Sequence, residues 1–265
     1  MEALGGVTPL ALAGLLVAAL LAGWVDAVSG GGGLIQLPAL LVGLPDAAPA
    51  TVLGTNKLSS IIGTSAAART YWRAAVTDVG TAVPMAIAAF IGSAIGAFVA
   101  TRLPGSWFRP LALVLLVVVG AWTLLRPDLG ERQDLRWHGG EDHGRHRVAA
   151  VALGGGIGLY DGVFGPGTGT FLVFGLVALL GYSFLNASAI AKVVNVSTNL
   201  AALTVFGATG HVLWLLGLTM GAANLVGGVV GARTAVRRGS GFVRVVFLVV
   251  VAVLLLKLGH DVLWP

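Results

Sequence analysis

Two sets of aspartate and lysine recur in apolar stretches of the sequence at the same spacing. Asp26 precedes Lys57 by 31 residues, and Asp161 precedes Lys192 by the same 31. Each isolated charge costs about 2.5 to 3.5 kcal/mol at the centre of a bilayer, and charges retained there usually mark a transport pathway. The four residues predict a binding site for an anion, in which the lysines supply positive charge and the carboxylates adjust the charge of the site. The alternative is two structural ion pairs, each joining an aspartate to the lysine of its own half.

Small polar side chains accompany both lysines at helical spacing. Residues three and four apart share one face of a helix, so each lysine belongs to a polar stripe, which Thr64 extends in the first half. Such a stripe is unfavourable against lipid, and we expect it to face protein or water. The alternative is a small-residue packing seam with interhelical hydrogen bonds. The candidate anion donors on the stripes and beside the lysines are Asn56, Lys57, Ser60, Ser188, Lys192, Asn195 and Asn199.

Glycine-rich turns separate each aspartate from its lysine, at residues 29–33 and 165–170. Glycine tolerates a left-handed backbone and close approach, and the first N–H groups of a following helix lack partners within that helix. Such helix ends bind anions. The backbone at Gly31, Gly32, Gly167 and Thr168 is therefore a candidate part of the site, although close helix packing explains such turns equally well.

The composition excludes a soluble domain. Of 265 residues, 57% are hydrophobic and 10% charged, with 40 glycines, whereas soluble proteins carry about 25% charged residues and about 7% glycine. The absence of Cys excludes disulfides and thiolate sites, and with five His we expect no metal site and no cofactor. Basic residues are not interleaved with aromatics, so nucleic-acid binding is not expected. The sequence predicts an all-α polytopic membrane protein whose surroundings are lipid.

Apolar runs predict six membrane spans, near residues 7–27, 76–101, 109–125, 147–163, 211–236 and 242–263. No Lys or Arg precedes Lys57, so we expect the first run to be a membrane segment and not a signal peptide. Two further pairs combine a run of about eleven residues, too short to cross, with a longer helix. They cover 34–44 with 50–71, and 170–180 with 184–206, and each predicts a broken or re-entrant helix pair.

Shifting the sequence by 135 residues aligns its two halves, and the rare residues decide the match. Identical residues include Asp26 and Asp161, Lys57 and Lys192, Met85 and Met220, Arg102 and Arg237, and Arg109 and Arg244. The sequence thus predicts two homologous four-segment repeats. We assign residues 1–125 and 148–265 to the repeats and 126–147 to a charged linker, whose three His we interpret as incidental.

Loop charges favour an inverted arrangement of the repeats. With an odd number of crossings in each half, eleven Lys and Arg residues fall on one side of the membrane and three on the other. Basic residues concentrate in cytoplasmic loops, so we expect the linker to be cytoplasmic, both termini to be external, and the protein to lie in the cell membrane. Inverted repeats are common in secondary transporters, which bind substrate at the repeat interface.

The motifs around these charges resemble the sulfite exporter TauE/SafE family of anion transporters. They are Gly-Trp-Val-Asp at 23–26, the glycines at 30–33, Gly-Thr-Asn-Lys at 54–57, and Tyr-Asp-Gly-Val-Phe-Gly-Pro-Gly-Thr-Gly-Thr at 160–170 with Lys192, Asn195 and Asn199. The resemblance covers nearly the whole chain apart from the central loop. It implies a carrier for sulfite, a sulfonate such as sulfoacetate, or a related sulfur oxyanion. Ala191 departs from the Ser or Thr expected before the lysine.

The residues and the resemblance together predict a secondary transporter that exports such an oxyanion by alternating access. Asp26 or Asp161 would carry a coupled proton, or act as an ion-pair partner. An anion channel is the alternative, and an intramembrane enzyme is weaker still, because Ser29 has no neighbouring base to activate it. The substrate, the coupling ion, the direction and the oligomeric state are left open by the sequence.

Overall fold

The computed structural model of the chain describes residues 7–74, 78–102, 135 and 142–263. These residues form helices and no strand. The elements are α1 (Pro9–Ser29), α2 (Gly33–Gly43), α3 (Pro49–Ala74), α4 (Val79–Ala100), α5 (Asp142–Val163), α6 (Thr168–Ala178), α7 (Phe184–Ala208) and α8 (Trp214–Leu263). The backbone of α8 is interrupted at Gly239, with φ of 74°, between the spans expected at 211–236 and 242–263.

Local sequence fixes several helix ends. The Thr8 side chain accepts a hydrogen bond from the Ala11 N–H at the start of α1, and Asp78 caps α4 in the same way through the Thr81 N–H. Such caps satisfy N–H groups that lack partners in the first turn. Helix α1 ends at Gly30, whose φ of 85° is left-handed and whose N–H donates to the Asp26 carbonyl. The glycine therefore stops the helix just after its aspartate.

The helix boundaries reproduce the offset found in the sequence. Helices α2, α3 and α4 begin at residues 33, 49 and 79, and α6, α7 and α8 begin 135 residues later, at 168, 184 and 214. Each short helix has 11 residues and precedes a helix of 26 or 25 residues. The short and long pairs expected from the sequence are confirmed at this level.

The two halves interlock through their outer helices. Helix α4 packs along α5 and α7, while α8 packs along α1 and α3. Glycines permit these approaches: a Cβ on Gly92 would meet the Gly155 carbonyl oxygen at 2.4 Å, and one on Gly227 would meet the Leu20 carbonyl oxygen at 2.0 Å. Each half thus supplies the fourth helix that covers the other half. The small-residue motifs Gly92 with Gly96 and Gly227 with Gly231 are packing seams.

Helices α3 and α7, which match at the 135-residue offset, pack side by side in opposite directions. Ala50 and Leu53, at the start of α3, share a buried cluster with Phe206 near the end of α7. Tyr71 at the other end of α3 shares a cluster with Phe184 at the start of α7. Helices α3 and α7 therefore run antiparallel to each other.

Four helices of the described residues are long and apolar enough to cross a membrane: Pro9–Ser29, Val79–Ala100, Phe184–Ala208 and the Trp214–Val250 part of α8. Three match spans expected from the sequence, and the fourth is the long member of the second helix pair. The span expected at 147–163 lies in α5, which is not among the four, and 109–125 lies outside the described residues. Most of the linker expected at 126–147 also lies outside them, and α5 already begins at Asp142.

Candidate functional site

The two buried lysines pair with aspartates of the opposite half. Lys57 Nζ lies 2.7 Å from Asp161 Oδ2, and Lys192 Nζ lies 3.0 Å from Asp26 Oδ2. Both lysines are almost fully buried, at 2% and 0% exposure, as is Asp161 at 1%, whereas Asp26 is 14% exposed. The alternative in which each aspartate pairs within its own half is wrong, because each lysine lies against the aspartate of the other half.

Asp161 is held by more donors than Asp26. The Thr168 hydroxyl donates to Asp161 Oδ1 at 2.6 Å, and Ser93 Oγ lies 3.5 Å from Oδ2 while donating to the Thr198 carbonyl. Among the residues that the structure describes, Asp26 accepts from a single hydroxyl, that of Thr64, at 3.2 Å. Buried charges need such partners to offset their lost hydration. The Asp161 carboxylate is therefore the more completely satisfied of the two.

Lys192 also binds the backbone at the end of α1. Its Nζ donates to the Asp26 carbonyl oxygen as well as to the carboxylate, and the same carbonyl accepts from the Gly30 N–H. A cation at a helix C-terminus interacts favourably with the helix dipole. Lys192 thus anchors the end of α1, a role for which the structure shows no equivalent bond from Lys57 within the described residues.

The two glycine-rich turns pack directly against each other between the halves. A Cβ on Gly30 would lie 2.1 Å from the Gly169 carbonyl carbon, and one on Gly169 would lie 2.6 Å from Gly30 Cα. The Thr170 hydroxyl donates to the Ser29 carbonyl across the same contact at 3.2 Å. Only residues without a side chain allow this backbone approach. The contact brings the N-termini of α2 and α6 to the lysine and aspartate pairs.

A small polar cavity lies between these turns and the lysine helices. Its volume is about 20 Å³, room for about one water molecule. The N-terminal residues of both short helices reach it, and helix N-termini favour anions. The cavity is lined by Asp26, Gly30, Gly33, Asn56, Lys57, Ser60, Asp161, Gly165, Thr168, Gly169, Asn195 and Asn199.

Comparison with known proteins assigns the family. The family model described as sulfite exporter TauE/SafE matches residues 15–258. The chain belongs to the sulfite exporter TauE/SafE family. A probable membrane transporter protein, ORF9, from Sinorhizobium sp is 37% identical over 255 residues, covering 96% of this chain and 94% of the relative.

Two further relatives carry similar names. The probable membrane transporter protein YfcA of Escherichia coli K12 is 33% identical over 258 residues, covering 96% of this chain and 92% of its own. A probable membrane transporter protein of Haemophilus influenzae is also 33% identical over 258 residues, covering 96% of both chains. No solved structure matches the chain. Family and relatives identify a multi-pass membrane transporter and not an enzyme, and the family implies a small anion as substrate and lipid as surroundings.

The cavity of this TauE/SafE protein gathers eight of the residues selected from the sequence. They are Asp26, Asn56, Lys57, Ser60, Asp161, Thr168, Asn195 and Asn199. Gly31, Gly32, Gly167, Ser188 and Lys192 do not line it. Gly32 instead packs on α1, where an added Cβ would lie 2.4 Å from the Ala22 carbonyl oxygen. Ser188 is fully buried. Lys192 is bonded to Asp26, which lines the cavity, but does not line it itself.

One polar side chain near the site was not predicted from the sequence. The turn glycines predicted to bind the anion lie one or two positions from those that line the cavity. Ser93 reaches Asp161 from α4, where it lies inside a small-residue packing motif that gives no sign of a polar role. The turn residues at the cavity are Gly30, Gly33, Gly165 and Gly169, neighbours of those selected. No group of three metal-ligating His, Asp or Glu side chains occurs among residues 7–74, 78–102 and 142–263.

Proposed function

We propose that this protein exports a sulfur oxyanion, namely sulfite, sulfoacetate or a related organosulfonate, across the cytoplasmic membrane as a secondary transporter. The family description supports sulfite as substrate. The observation that carries the proposal is Lys57, a buried lysine that lines a cavity between two helix N-termini. A buried cation with donors around it on several sides matches an oxyanion, whose oxygens all accept hydrogen bonds.

The donors of the cavity come from both halves. Asn56 and Ser60 lie beside Lys57 on α3, Asn195 and Asn199 lie on α7, and Thr168 begins α6. We assign the first contact with the anion to the Lys57 ammonium, and orientation of its oxygens to the amide, hydroxyl and backbone N–H donors. Lys192 reaches the anion only when its bond to Asp26 opens, because it does not line the cavity in this arrangement.

The anion must compete with an aspartate for Lys57. A cavity of about 20 Å³ holds about one water molecule, which is smaller than an anion of a sulfur atom with three oxygens. Binding therefore requires the cavity to enlarge, and we assign this enlargement to separation of the pair of Lys57 and Asp161. Since this pair joins the two halves, its separation couples anion binding to movement of one half against the other.

That movement is alternating access by two inverted repeats around a site at the middle of the membrane. The 135-residue offset between equivalent helices and the antiparallel packing of α3 and α7 support the inverted arrangement. The distribution of Lys and Arg supports a cytoplasmic linker and external termini. Substrate then enters from the cytoplasmic side and leaves outside.

Proton coupling follows from the same competition. When the anion binds the lysine, the aspartate that was paired with it becomes a buried carboxylate without a cation. Such a carboxylate is stabilised by binding a proton. One proton would thus move with each anion through Asp26 or Asp161. The carboxylate gives the proton up when the anion leaves and the lysine returns.

Flux measurements in proteoliposomes test the proposal. Uptake of sulfite, sulfate, thiosulfate and sulfoacetate is followed with and without a pH gradient, using the wild type and the paired variant Lys57→Met with Asp161→Asn as a control that removes both charges. We expect saturable flux of sulfite or sulfoacetate that the paired variant lacks. Folded wild type that moves none of the four anions contradicts the substrate assignment, and flux that never saturates indicates a channel.

A further inference from the structure

A second polar cluster lies at one end of the helix bundle, away from the cavity. Tyr182, in the turn between α6 and α7, donates its hydroxyl to Asp78 Oδ2 at 2.6 Å, and the Thr81 hydroxyl donates to the same oxygen at 2.9 Å. His146 Nε2 lies 3.0 Å from Thr81 Oγ1 and 3.2 Å from the Tyr182 hydroxyl. The cluster ties the N-termini of α4 and α5 to the α6–α7 turn. It corrects the interpretation of His146 as an incidental linker residue.

The hydrogen bonds assign a proton to His146 Nε2. The Thr81 hydroxyl donates to Asp78, and the Tyr182 hydroxyl donates to Asp78 or to Thr81 Oγ1, 3.0 Å away, so both hydroxyl oxygens act as acceptors toward the ring. Burial raises the pKa of Asp78, but the hydrogen bonds from Tyr182 and Thr81, to which the charge of a protonated His146 adds, outweigh it and leave this pKa below its usual value. The carboxylate is therefore charged, and a second proton on the ring would place a cation beside it.

The equivalent positions at the other end of the bundle are all apolar. Shifting Asp78, Thr81, His146 and Tyr182 by 135 residues leads to Leu213, Leu216, Ala11 and Ala47. These four residues also lie together, in or against one buried apolar cluster. The same contact between halves is thus built twice, once from titratable and hydrogen-bonded groups and once from aliphatic side chains.

We propose that Asp78, Thr81, His146 and Tyr182 form a proton-sensitive latch that closes one end of the transporter, while the equivalent side chains at the opposite end are aliphatic and take up no proton. The inference rests on the alternating access proposed above. In that cycle the two ends open in turn, and a ligand shifts the balance only if it binds one state more tightly. Here that ligand is a proton on His146.

The sign of the pH effect follows from the groups that face His146. From α4 it faces Asp78, from the α6–α7 turn it faces Tyr182, and on α5 it is flanked by the exposed Arg145 and Arg147. Both arginines are exposed, whereas Asp78 and His146 share the hydroxyls of Thr81 and Tyr182 as partners. Histidine gains its charge between about pH 8 and 5. Acidification in this window therefore strengthens the closed latch.

Distance measurements between spin labels test the latch in a chain that has no native Cys. One pair of labels is placed at the latch end, on Val79→Cys and Leu179→Cys, and another at the opposite end, on Ala48→Cys and Trp214→Cys; all four positions are exposed. In lipid nanodiscs without substrate, we expect the closed population at the latch end to rise about fivefold from pH 8 to pH 5. The opposite end should open in the same proportion.

Variants separate the histidine from other causes. His146→Gln keeps an N–H donor but takes up no proton, so the latch should stay formed and lose its pH response. His211→Gln, at a half-buried histidine in the loop before α8, is the matched control and should keep the wild-type response. Should His146→Gln fail to fold, Tyr182→Phe is measured instead, and removal of its hydroxyl should open the latch end at every pH.

Each result bears on a different proposal. A pH response that persists in His146→Gln, or a latch end that stays closed in Tyr182→Phe, overturns the latch. If neither label pair changes its distance at any pH or on addition of sulfite, the alternating access of the proposed function fails. Opposite movements of the two ends with sulfite but not with pH refute the latch alone.

Discussion

Lys57 on α3 and Asp161 on α5 belong to different halves of the chain, and their charged atoms lie 2.7 Å apart with both side chains almost fully buried. The equivalent pair of Lys192 and Asp26 makes the reciprocal connection. The charges that face the cavity are thus also the charges that hold the halves together. Any anion that binds Lys57 must weaken this connection.

The first prediction concerns the pairing of Lys57 with Asp161 and of Lys192 with Asp26. Lys57→Met leaves Asp161 buried without its cation, which should cost about 3 to 5 kcal/mol of unfolding free energy. Adding Asp161→Asn removes the unpaired charge, so most of this loss should be recovered. Adding Asp26→Asn instead leaves Asp161 unpaired and also removes the charged partner of Lys192. Thermal unfolding in detergent should rank the matched double variant well above the mismatched one, and the reverse order would contradict the pairing across halves.

A second prediction concerns the unequal positions of the two lysines. Lys57 lines the cavity, whereas Lys192 lies behind Asp26 and binds the end of α1. In matched double variants, loss of the Lys57 charge should weaken sulfite binding about 10-fold to 100-fold, as expected for a lost charged hydrogen bond. Loss of the Lys192 pair should weaken it about threefold or less while still slowing transport. Calorimetric titration of sulfite checks this, and equal losses would place both lysines at the anion.

The third prediction separates backbone strain from backbone contact. Gly30 and Gly210 both have positive φ, at 85° and 75°, but only Gly30 lies against another backbone. Ala at Gly210 should therefore cost about 1 to 2 kcal/mol, the strain of a left-handed residue. Ala at Gly30 adds a clash with Gly169 between the halves and should abolish sulfite binding. Similar melting temperatures and binding for the two variants would show that the turn contact is not essential.

Much of the fold could be predicted from the sequence because it depends on local patterns. Run lengths and turn glycines gave the short and long helix pairs, and the offset found through rare residues such as Asp26 and Asp161 recurs in the helix boundaries. Eight candidate site residues meet at one cavity because they lie on the lysine helices or at the ends of helices beside the turns. These features require no knowledge of how the halves pack.

Features that depend on tertiary packing could not be predicted. Identical spacing made Asp26 and Lys57 natural partners, but in the folded chain each lysine pairs with the aspartate of the other half. His146 lies in a charged stretch typical of a solvated linker, and only the packing of α4 against α5 buries it beside Tyr182. In both cases the deciding contact joins residues far apart in sequence, for which periodicity carries no information.

The fourth prediction tests the orientation of the halves. Gly144, at the start of α5, and Ala48, just before α3, are both exposed and lie in parts of the chain expected on opposite sides of the membrane. An impermeant thiol reagent applied to intact cells should label Ala48→Cys and leave Gly144→Cys unlabelled until the cells are opened. Labelling of Gly144→Cys in intact cells, with Ala48→Cys protected, would contradict a cytoplasmic linker.

The last prediction concerns the coupled proton. Asp26→Asn and Asp161→Asn each keep the shape of the side chain but remove its ability to carry a proton. If one aspartate is released with each anion that binds, Asn at that position should remove the dependence of sulfite flux on the pH gradient. Exchange of anion for anion should persist there, because exchange needs no net proton movement. Gradient-driven flux and exchange are measured on the same proteoliposomes. Unchanged gradient dependence in both variants would leave Asp26 and Asp161 only as partners of the lysines, with coupling, if any, elsewhere.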